Sequence, residues 1–495
     1  MSIPLDSATE LLRLQACREL SAEQIVVASL DSIYKSQDSV RAFTHIAEAE
    51  AIRAAKDVDG RRRRGETLGP LAGIPIAVKD VLCTLGMPTT CSSRMLRDFH
   101  PPYDATVVSK LRSADAIVIG KTNMDEFAMG ASTETSFFGV TRNPWDITRT
   151  PGGSSGGAAA CVASGCVPLS LGTDTGGSIR QPAAFCGITG LKPTYGRCSR
   201  FGLIAFASSL DQVGPMAWSA DDAALLMSVI SGFDDKDATS LDTAETDNFI
   251  PTRLNDLSGL RVGVIRDAIE HRSLSPSIKE AVINAINIFA DAGAKIADVR
   301  LPHSEFGVPT YYVIAPCEAS SNLSRYDGAH FGFRGRGSRD LEQELGPLIA
   351  TYCRSRAEGF GTEVKRRIML GTYALSTGYY EAYYLKALKA RRIIRQDYDT
   401  AFEQADVLIG PVTPSPAFRL GEKVNDPIDM YLCDLFTVGA NLAGIPSLSF
   451  PGGMTDDGLP LGIQLQGATL SEPLLLAIAS VFQTQTNFHL RRPVR

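Results

Sequence analysis

Apolar residues recur along the chain with two different spacings, which predict helices and buried strands respectively. In residues 5–56 the spacing is helical, and Ser7 and Ser21 stand where helix N-caps are expected. Short apolar runs elsewhere predict strands, and segments of helical length separate several of them. The alternation predicts an α/β fold with helical crossovers. The predicted strands cover residues 71–81, 116–120, 260–265, 295–301, 406–411, 447–450 and 461–465.

The order of these elements suggests how the 495 residues are organised. Length alone would allow two to four domains. Strands from both ends of the chain are nevertheless expected to share one sheet, so that residues 1–495 form a single domain. Residues 1–60 are predicted to be a helical lead-in, and residues 304–400 a mostly helical cap or insert over the sheet.

The stretch 150–180 carries the strongest candidate chemistry. Two glycine-rich loops, at 152–157 and 176–178, each place a serine where the backbone can turn sharply and point several N–H groups at one position. Such loops suit a nucleophile and an oxyanion hole, although glycine and serine also mark flexible linkers. The apolar residues 158–171 between them favour a buried helix followed by a buried strand.

A serine nucleophile needs a base, which is usually histidine. None of the six histidines lies near the loops in sequence, which does not exclude a spatial triad. Lys79, at the end of a predicted buried strand, offers another base, because a desolvated amine has a lowered pKa and can accept a proton through a second serine. The alternative is a surface lysine paired with Asp80.

Other functions find less support in the sequence. Cys161, Cys166 and Cys186 lie near the loops, but their apolar neighbours favour packed thiols over a catalytic one. The ten cysteines form no CxxC pair and no zinc-type Cys/His cluster, so no metal site is predicted. Neither glycine loop carries a Walker lysine or a GxGxxG fingerprint. A net charge of −6 gives no reason to expect non-specific nucleic-acid binding.

Localisation follows from what the sequence does not contain. The N-terminus has no basic segment leading into an apolar one, so no signal or transit peptide is predicted. No apolar run reaches the length of a membrane span. A cytoplasmic protein without membrane contact is therefore expected.

Three motifs together resemble the amidase signature family: GIPIAVKD, GGSSGG and GTDTGGSIRQPAAFCGITGLKPTYG. The resemblance implies a large mixed central sheet flanked by helices. It also implies a Ser-cisSer-Lys amidohydrolase, with a cis peptide beside the bridging serine and a charged pair supporting the nucleophile loop. The implied roles are nucleophile for Ser178, bridge for Ser154, base for Lys79, oxyanion hole for Thr175, Gly176 and Gly177, and loop support for Asp174 and Arg180.

Further segments, among them TETSFFGVTRNPWDITRTPGGSSGG, EASSNLSRYDG and NLAGIPSLSFPGG, resemble the A subunits of glutamyl-tRNA(Gln)/aspartyl-tRNA(Asn) amidotransferases over nearly the whole chain. This implies a glutaminase without a cofactor of its own. Its ammonia would pass to a B subunit that uses ATP and Mg to activate misacylated Glu-tRNA(Gln) or Asp-tRNA(Asn). A small C subunit would complete a heterotrimer.

The resemblance also implies an arginine and an aspartate that hold the glutamine substrate. Arg356 and Asp426 match best, with Arg366 and Arg367 as open alternatives for the arginine, and Tyr312 is expected to line the same pocket. A free-standing small-molecule amidase is the alternative function, because the same catalytic residues would serve it.

Overall fold

The computed structural model describes residues 3–242, 249, 254, 256–335 and 339–493. Within these residues eleven strands form one mixed sheet. The strands are β1 (Phe43–Ile46), β2 (Pro75–Lys79), β3 (Ile117–Thr122), β4 (Leu169–Asp174), β5 (Thr189–Lys192), β6 (Gln212–Ala217), β7 (Arg261–Ile265), β8 (Lys295–Val299), β9 (Val407–Pro411), β10 (Ser447–Met454) and β11 (Pro460–Gly467).

The strand order is β1-β3-β2-β4-β6-β5-β10-β11-β9-β7-β8. Two groups of parallel strands, β3-β2-β4 and β9-β7-β8, lie on opposite sides of an antiparallel centre. Strands from both ends of the chain therefore share one sheet, as the sequence predicts. The mixed α/β fold class is confirmed.

Helices flank the sheet. They are α1 (Ala8–Ala16), α2 (Ala22–Val40), α3 (Glu48–Arg63), α4 (Thr106–Ser113), α5 (Gly156–Ala163), α6 (Arg180–Cys186), α7 (Ala220–Ile230), α8 (Arg266–Ile269), α9 (Pro276–Asp291), α10 (Gly307–Asn322), α11 (Arg339–Leu345), α12 (Pro347–Gly359), α13 (Thr362–Ala374), α14 (Lys386–Gln404), α15 (Pro427–Tyr431), α16 (Val438–Ala443) and α17 (Glu472–Gln485). A π-helical turn at Glu381–Leu385 precedes α14. No helix in the described ranges is both long and apolar enough to cross a membrane.

The N-terminal region is less helical than its apolar spacing predicts. Ser7 and Ser21 do cap α1 and α2, each accepting a backbone N–H from the first helical turn. Between α2 and α3, however, β1 pairs antiparallel with β3 and forms the edge of the sheet. This strand has only four residues, too few for a period-2 pattern to show in the sequence.

The region between the two glycine loops folds as predicted. Helix α5 is buried on all sides, and β4 follows it as a fully buried strand that ends at Asp174. Glycine allows α5 to pack closely, because a Cβ at Gly157 would lie 2.4 Å from Asn123 O and 2.5 Å from Ala42 O. The helix N-terminus that follows Ser154 is thereby held against the end of β3 and the start of β1.

We expect Gly157→Ala to lower the melting temperature, because the added methyl overlaps backbone atoms that cannot move aside. A destabilisation of about 1–3 kcal/mol is expected. Gly60→Ala in α3 is the matched control, since there the methyl meets only the Arg64 side chain at 3.3 Å. Calorimetry on both variants tests this, and a Gly157→Ala melting temperature equal to the parent's would contradict it.

Candidate active site

Lys79 is the last residue of β2, and its amine is completely buried among hydroxyl groups. Nζ lies 2.8 Å from Ser154 Oγ, 2.8 Å from Ser155 Oγ and 2.9 Å from Thr173 Oγ1. Parallel pairing of β2 with β4 brings these groups together, since Thr173 lies on β4 and Ser155 directly precedes α5. The alternative of a surface lysine paired with Asp80 is wrong, because Asp80 is buried and pairs with Lys121 at 3.6 Å.

The surrounding hydrogen bonds determine which hydroxyl can give a proton to Lys79. Ser155 Oγ donates its only proton to Thr173 O at 3.0 Å and so acts toward Lys79 as an acceptor. A neutral amine has two N–H groups, which Ser155 Oγ and Thr173 Oγ1 can accept. Its lone pair then remains for the hydroxyl proton of Ser154.

The electrostatics support a neutral amine. Burial lowers the pKa of Lys79 to about 7, although the charges of Asp125, Asp174 and Asp211 act in the opposite direction. Near neutral pH a large fraction of the amine can therefore accept a proton.

The Ser154 loop is fixed by side chains on both sides. The Gly153–Ser154 peptide is cis, which confirms the expectation of a cis peptide beside this serine. Gln181 Oε1 accepts the Gly153 N–H at 2.8 Å. Buried Asp125 lies so close that a Cβ on Gly153 would be 2.0 Å from its Oδ2. The loop therefore has little freedom to shift relative to Lys79.

Ser178 lies in the second glycine loop, between β4 and α6. It retains 8% exposure, whereas Ser154 and Lys79 have none, so Ser178 is the member of the set that a substrate can reach. Its carbonyl accepts the Ser155 N–H at 3.1 Å, which ties the two loops together. The structure thus holds the Ser178 loop against the loop whose Ser154 contacts the Lys79 amine.

The predicted oxyanion-hole residues precede Ser178. Thr175 is anchored by its hydroxyl, which donates to Asp211 Oδ1 at 2.7 Å. Gly176 and Gly177 have no space for a side chain, because a Cβ would lie 2.6 Å from Tyr311 Cζ and 2.4 Å from Thr437 Oγ1 respectively. Within the described residues, their two backbone N–H groups donate to no protein acceptor. Both donors therefore remain available.

Asp174 and Arg180 bracket this loop and form a fully buried bidentate ion pair at 3.0 and 3.1 Å. Burial alone would raise the pKa of Asp174, but Arg180 and its hydrogen bonds hold it at about 2. The carboxylate also accepts the Ile179 N–H at 3.1 Å. Both residues support the loop as expected.

The catalytic-cysteine alternative loses support in the structure. Cys161 and Cys186 are buried, and burial raises the pKa of both thiols well above the ordinary value. A reactive cysteine needs a lowered pKa and exposure, and these two thiols have neither.

A charged pocket lies beside the Ser178 loop. Tyr312 donates its hydroxyl to Asp434 Oδ2 at 2.8 Å and stacks on Tyr431 with ring centroids 3.9 Å apart. The Arg367 guanidinium lies 5.3 Å from the Tyr312 ring centroid and is only 3% exposed. Thr437 connects this pocket to the loop, since its hydroxyl reaches both Gly176 O at 2.6 Å and Asp434 O at 3.1 Å.

Both charged groups of this pocket have free hydrogen-bonding capacity. Arg367 uses only Nε, which donates to Glu363 Oε1 at 2.8 Å. In the ranges that the structure describes, neither Nη group of Arg367 donates a hydrogen bond and Asp434 Oδ1 accepts none. Burial raises the pKa of Asp434 to about 7, against the opposing effects of Tyr312 and Arg367.

The structure does not bring Arg356 and Asp426 to this pocket. Arg356 donates to Leu323 O and Tyr326 O, and its guanidinium lies against the Tyr352 and Phe360 rings. Asp426 caps α15 by accepting two backbone N–H groups. Both assignments therefore need correction, because the hydrogen-bonding groups of these residues serve local structure. Tyr312, by contrast, contacts both Asp434 and Arg367.

Sequence reasoning missed several residues of the site. The sequence does contain an indication of Asp434, because an acidic residue among apolar ones, as in YLCDLF, is typical of a buried functional carboxylate. Arg367 is not missed outright, because the sequence leaves it as an alternative to Arg356; its position four residues after Glu363 on a helix is a weak signal in its favour. The other missed residues, which hold the loops and the lysine, are Asp125, Ser155, Thr173, Gln181 and Asp211.

Comparisons with known proteins agree with this geometry. A family model described as Amidase matches residues 24–476. The A subunit of glutamyl-tRNA(Gln) amidotransferase from Rhodopirellula baltica is 62% identical over 99% of this chain and 98% of its own. The protein of the same name from Carboxydothermus hydrogenoformans is 51% identical over 98% of each chain.

A solved structure of the protein of that name from Thermotoga maritima gives a TM-score of 0.78 at 41% identity, covering 96% of this chain and 94% of its own. The family match and these relatives each extend over nearly all of the chain. The chain therefore belongs to the amidase signature family and, within it, to the family of glutamyl-tRNA(Gln) amidotransferase A subunits.

Proposed function

We propose that this chain is the glutaminase subunit of a tRNA-dependent amidotransferase. The proposal rests on one observation, that two features lie next to each other. A buried lysine lies 2.8 Å from Ser154 in the loop tied to Ser178, and the neighbouring pocket holds one cation and one anion with free hydrogen-bonding groups. The pair suits an amino-acid substrate, and the serine–lysine set suits attack on an amide.

The first half of the reaction forms an ester. Ser178 Oγ attacks the side-chain amide carbon of glutamine, its proton passes to Ser154, and the Ser154 proton passes to the neutral Lys79 amine. The carbonyl oxygen becomes an oxyanion that the N–H groups of Gly176 and Gly177 stabilise, together with that of Thr175. When the C–N bond breaks, the proton returns from Lys79 through Ser154 to the departing nitrogen. Ammonia and a glutamyl ester of Ser178 result.

The second half releases glutamate by the same path. Water loses its proton through Ser154 to Lys79 and attacks the ester carbon, and the proton then returns to Ser178 Oγ. Arg367 binds the α-carboxylate and Asp434 the α-ammonium group, in place of the predicted Arg356 and Asp426. A free-standing amidase for apolar amides fits less well, because an apolar substrate would desolvate the free Nη groups of Arg367 and Oδ1 of Asp434 without giving them hydrogen-bond partners.

The ammonia would serve a complex rather than this chain alone. The relatives are named as A subunits, which supports partner chains. We place this chain in a cytoplasmic heterotrimer with B and C subunits. The B subunit would use ATP and Mg to activate misacylated Glu-tRNA(Gln), Asp-tRNA(Asn) or both, and the glutaminase would need no cofactor.

We expect Ser178→Ala to abolish glutamine-driven transamidation while ammonia-driven transamidation continues. The variant removes the nucleophile but leaves the amide-forming chemistry of the partner intact, so only the glutamine-dependent rate should fall, by more than about a thousandfold. The heterotrimer is assayed with misacylated tRNA, ATP and either donor. Loss of both activities in a folded, assembled complex would contradict this division of labour.

Lys79→Arg and Lys79→Ala should each lower the glutaminase kcat by roughly 10²–10⁴-fold, because neither supplies a neutral amine. In the parent enzyme, kcat at saturating glutamine should rise as pH increases through about 7, since deprotonation creates the base. Steady-state kinetics from about pH 5.5 to about pH 9, a range that brackets this pKa on both sides, measure both effects.

Lys192→Met provides the control for the lysine variants. Lys192 is also buried and its pKa is also lowered to about 7 by burial, but its amine donates only to Pro193 O among the described residues. A folded Lys192→Met protein should keep its activity. Near-parental turnover by Lys79→Arg would refute the role of Lys79 as base.

Arg367→Ala and Asp434→Asn should raise the KM for glutamine by about tenfold or more each, because each removes a charge-assisted hydrogen bond to the substrate. Arg356→Ala and Asp426→Asn are the matched controls and should change KM less than about twofold, since neither residue reaches the pocket. Glutaminase kinetics on the assembled complex decide between the two pairs. A larger effect for the control pair would restore the assignment made from the sequence.

A further inference from the structure

Asp211 lies directly opposite Thr175, the first of the predicted oxyanion-hole residues. Strands β4 and β6 are antiparallel, and the last pair of their ladder joins Asp174 to Gln212. The next pair in this register is Thr175 and Asp211, and the Thr175 hydroxyl donates to Asp211 Oδ1 at 2.7 Å. Both residues are almost completely buried. The position of Thr175 therefore depends on a carboxylate from outside its own loop.

The other oxygen of the same carboxylate holds a different part of the site. Asp211 Oδ2 accepts the backbone N–H groups of Phe206 at 2.9 Å and Ala207 at 3.0 Å. The Phe206 ring is buried, and the Arg367 guanidinium lies 5.5 Å from its centroid. An aromatic face attracts a cation at this distance. One carboxylate thus connects Thr175 with a ring that contacts Arg367.

The turn 206–211 that carries these contacts is itself fixed. Glu318 of α10 accepts the Ser209 N–H at 2.8 Å and the Ser209 hydroxyl at 2.6 Å. Arg391 of α14 donates to Ser209 O at 3.0 Å. The Asp211 N–H closes the turn by donating to Ala207 O at 2.9 Å. Asp211 can therefore hold its neighbours in place, because its own backbone has little freedom to move.

We propose that Asp211 is a positioning residue that fixes the distance between the oxyanion hole and Arg367 and thereby selects the length of the amino-acid amide that is hydrolysed. In the proposed reaction, Arg367 binds the α-carboxylate and the oxyanion hole binds the amide oxygen at the other end of the substrate. The inference rests on the proposed glutaminase function and adds its chain-length specificity.

The size of the expected effect follows from the length of the substrate. Asparagine is one methylene shorter than glutamine, so its amide would lie about 1–1.5 Å short of the oxyanion hole when Arg367 holds its carboxylate. A misplacement of about 1 Å lowers a rate by roughly a hundredfold. A fixed distance between the two binding groups therefore favours glutamine over asparagine.

Kinetics of the assembled complex with glutamine and asparagine test the proposal. The parent should prefer glutamine in kcat/KM by roughly a hundredfold, and Asp211→Ala should lower that preference about tenfold or more, because both connections are lost. A purely structural role would lower the active fraction and reduce both rates alike. Asp211→Asn should recover most of the preference, since its amide oxygen can accept the two backbone N–H groups while its NH₂ group donates to Thr175 Oγ1.

Two variants test the connections one at a time. Thr175→Val lacks the hydroxyl and should lower kcat roughly 10–100-fold with KM within about twofold of the parent, because Arg367 stays in place. Phe206→Leu should instead raise KM about threefold with little change in kcat, since Arg367 loses an aromatic contact. Thr189→Val is the matched control: this buried threonine of β5 donates to Trp218 O at 3.2 Å, and its variant should keep parental kinetics.

Melting temperatures verify that each variant is folded. Equal use of the two amides by the parent, or an unchanged glutamine preference in folded Asp211→Ala, would overturn the proposal. Where Asp211→Ala does not fold, parental kinetics of both Thr175→Val and Phe206→Leu would overturn it instead. Release of glutamate and ammonia from glutamine by the parent tests the proposed function separately, because a glutaminase without a chain-length preference would still show that activity.

Discussion

The active site depends on Lys79, whose amine is held in a buried environment that disfavours its charged form. Burial pushes the pKa of Lys79 down, while three buried carboxylates, Asp125, Asp174 and Asp211, push it up. Each of these acids is engaged elsewhere: Asp174 with Arg180, Asp125 with backbone N–H groups, and Asp211 with Thr175. Their negative charges raise the pKa of Lys79 by long-range electrostatic interaction, without forming an ion pair with its amine. A direct carboxylate partner would keep the amine protonated and remove its use as a base.

Burial alone does not distinguish Lys79 from two other buried lysines. Lys121 is equally buried but bonds to Leu82 O and Thr89 Oγ1 beside Asp80, and Lys192 bonds to a carbonyl. Carbonyl oxygens have no proton to give, and the Thr89 hydroxyl donates its proton to Leu82 O. Of these three lysines, Lys79 is the one whose amine faces a serine hydroxyl with a free proton, that of Ser154. The identity of the neighbouring donor therefore decides which of them can act as a base.

The sequence predicts much of this arrangement, for definable reasons. Apolar runs predict β2, α5, β4 and most of the C-terminal strands, because fully buried elements consist mostly of apolar residues. The sequence indicates Lys79, Ser154 and Ser178, because a lysine ending a buried strand and serines among glycines are unusual. The sequence offers Arg367 only as an alternative to Arg356 and does not indicate Asp434, since the two residues come from separate helical segments that meet only in three dimensions. Arg356 and Asp426 resemble them in type, and only the contacts separate the pairs.

One guanidinium joins the parts of the site that come from distant regions of the chain. Arg180 pairs with Asp174 at the nucleophile loop, and its Nη1 donates to Thr437 O at 3.0 Å and Gln464 Oε1 at 2.7 Å. Thr437 follows Asp434 and contacts Gly176, so Arg180 fixes the distance between the charged pocket and Ser178. A lysine could not replace Arg180, because the planar guanidinium donates hydrogen bonds in several fixed directions at once. The separation between Asp434 and Ser178 is thus set by a guanidinium that hydrogen-bonds to neither of them.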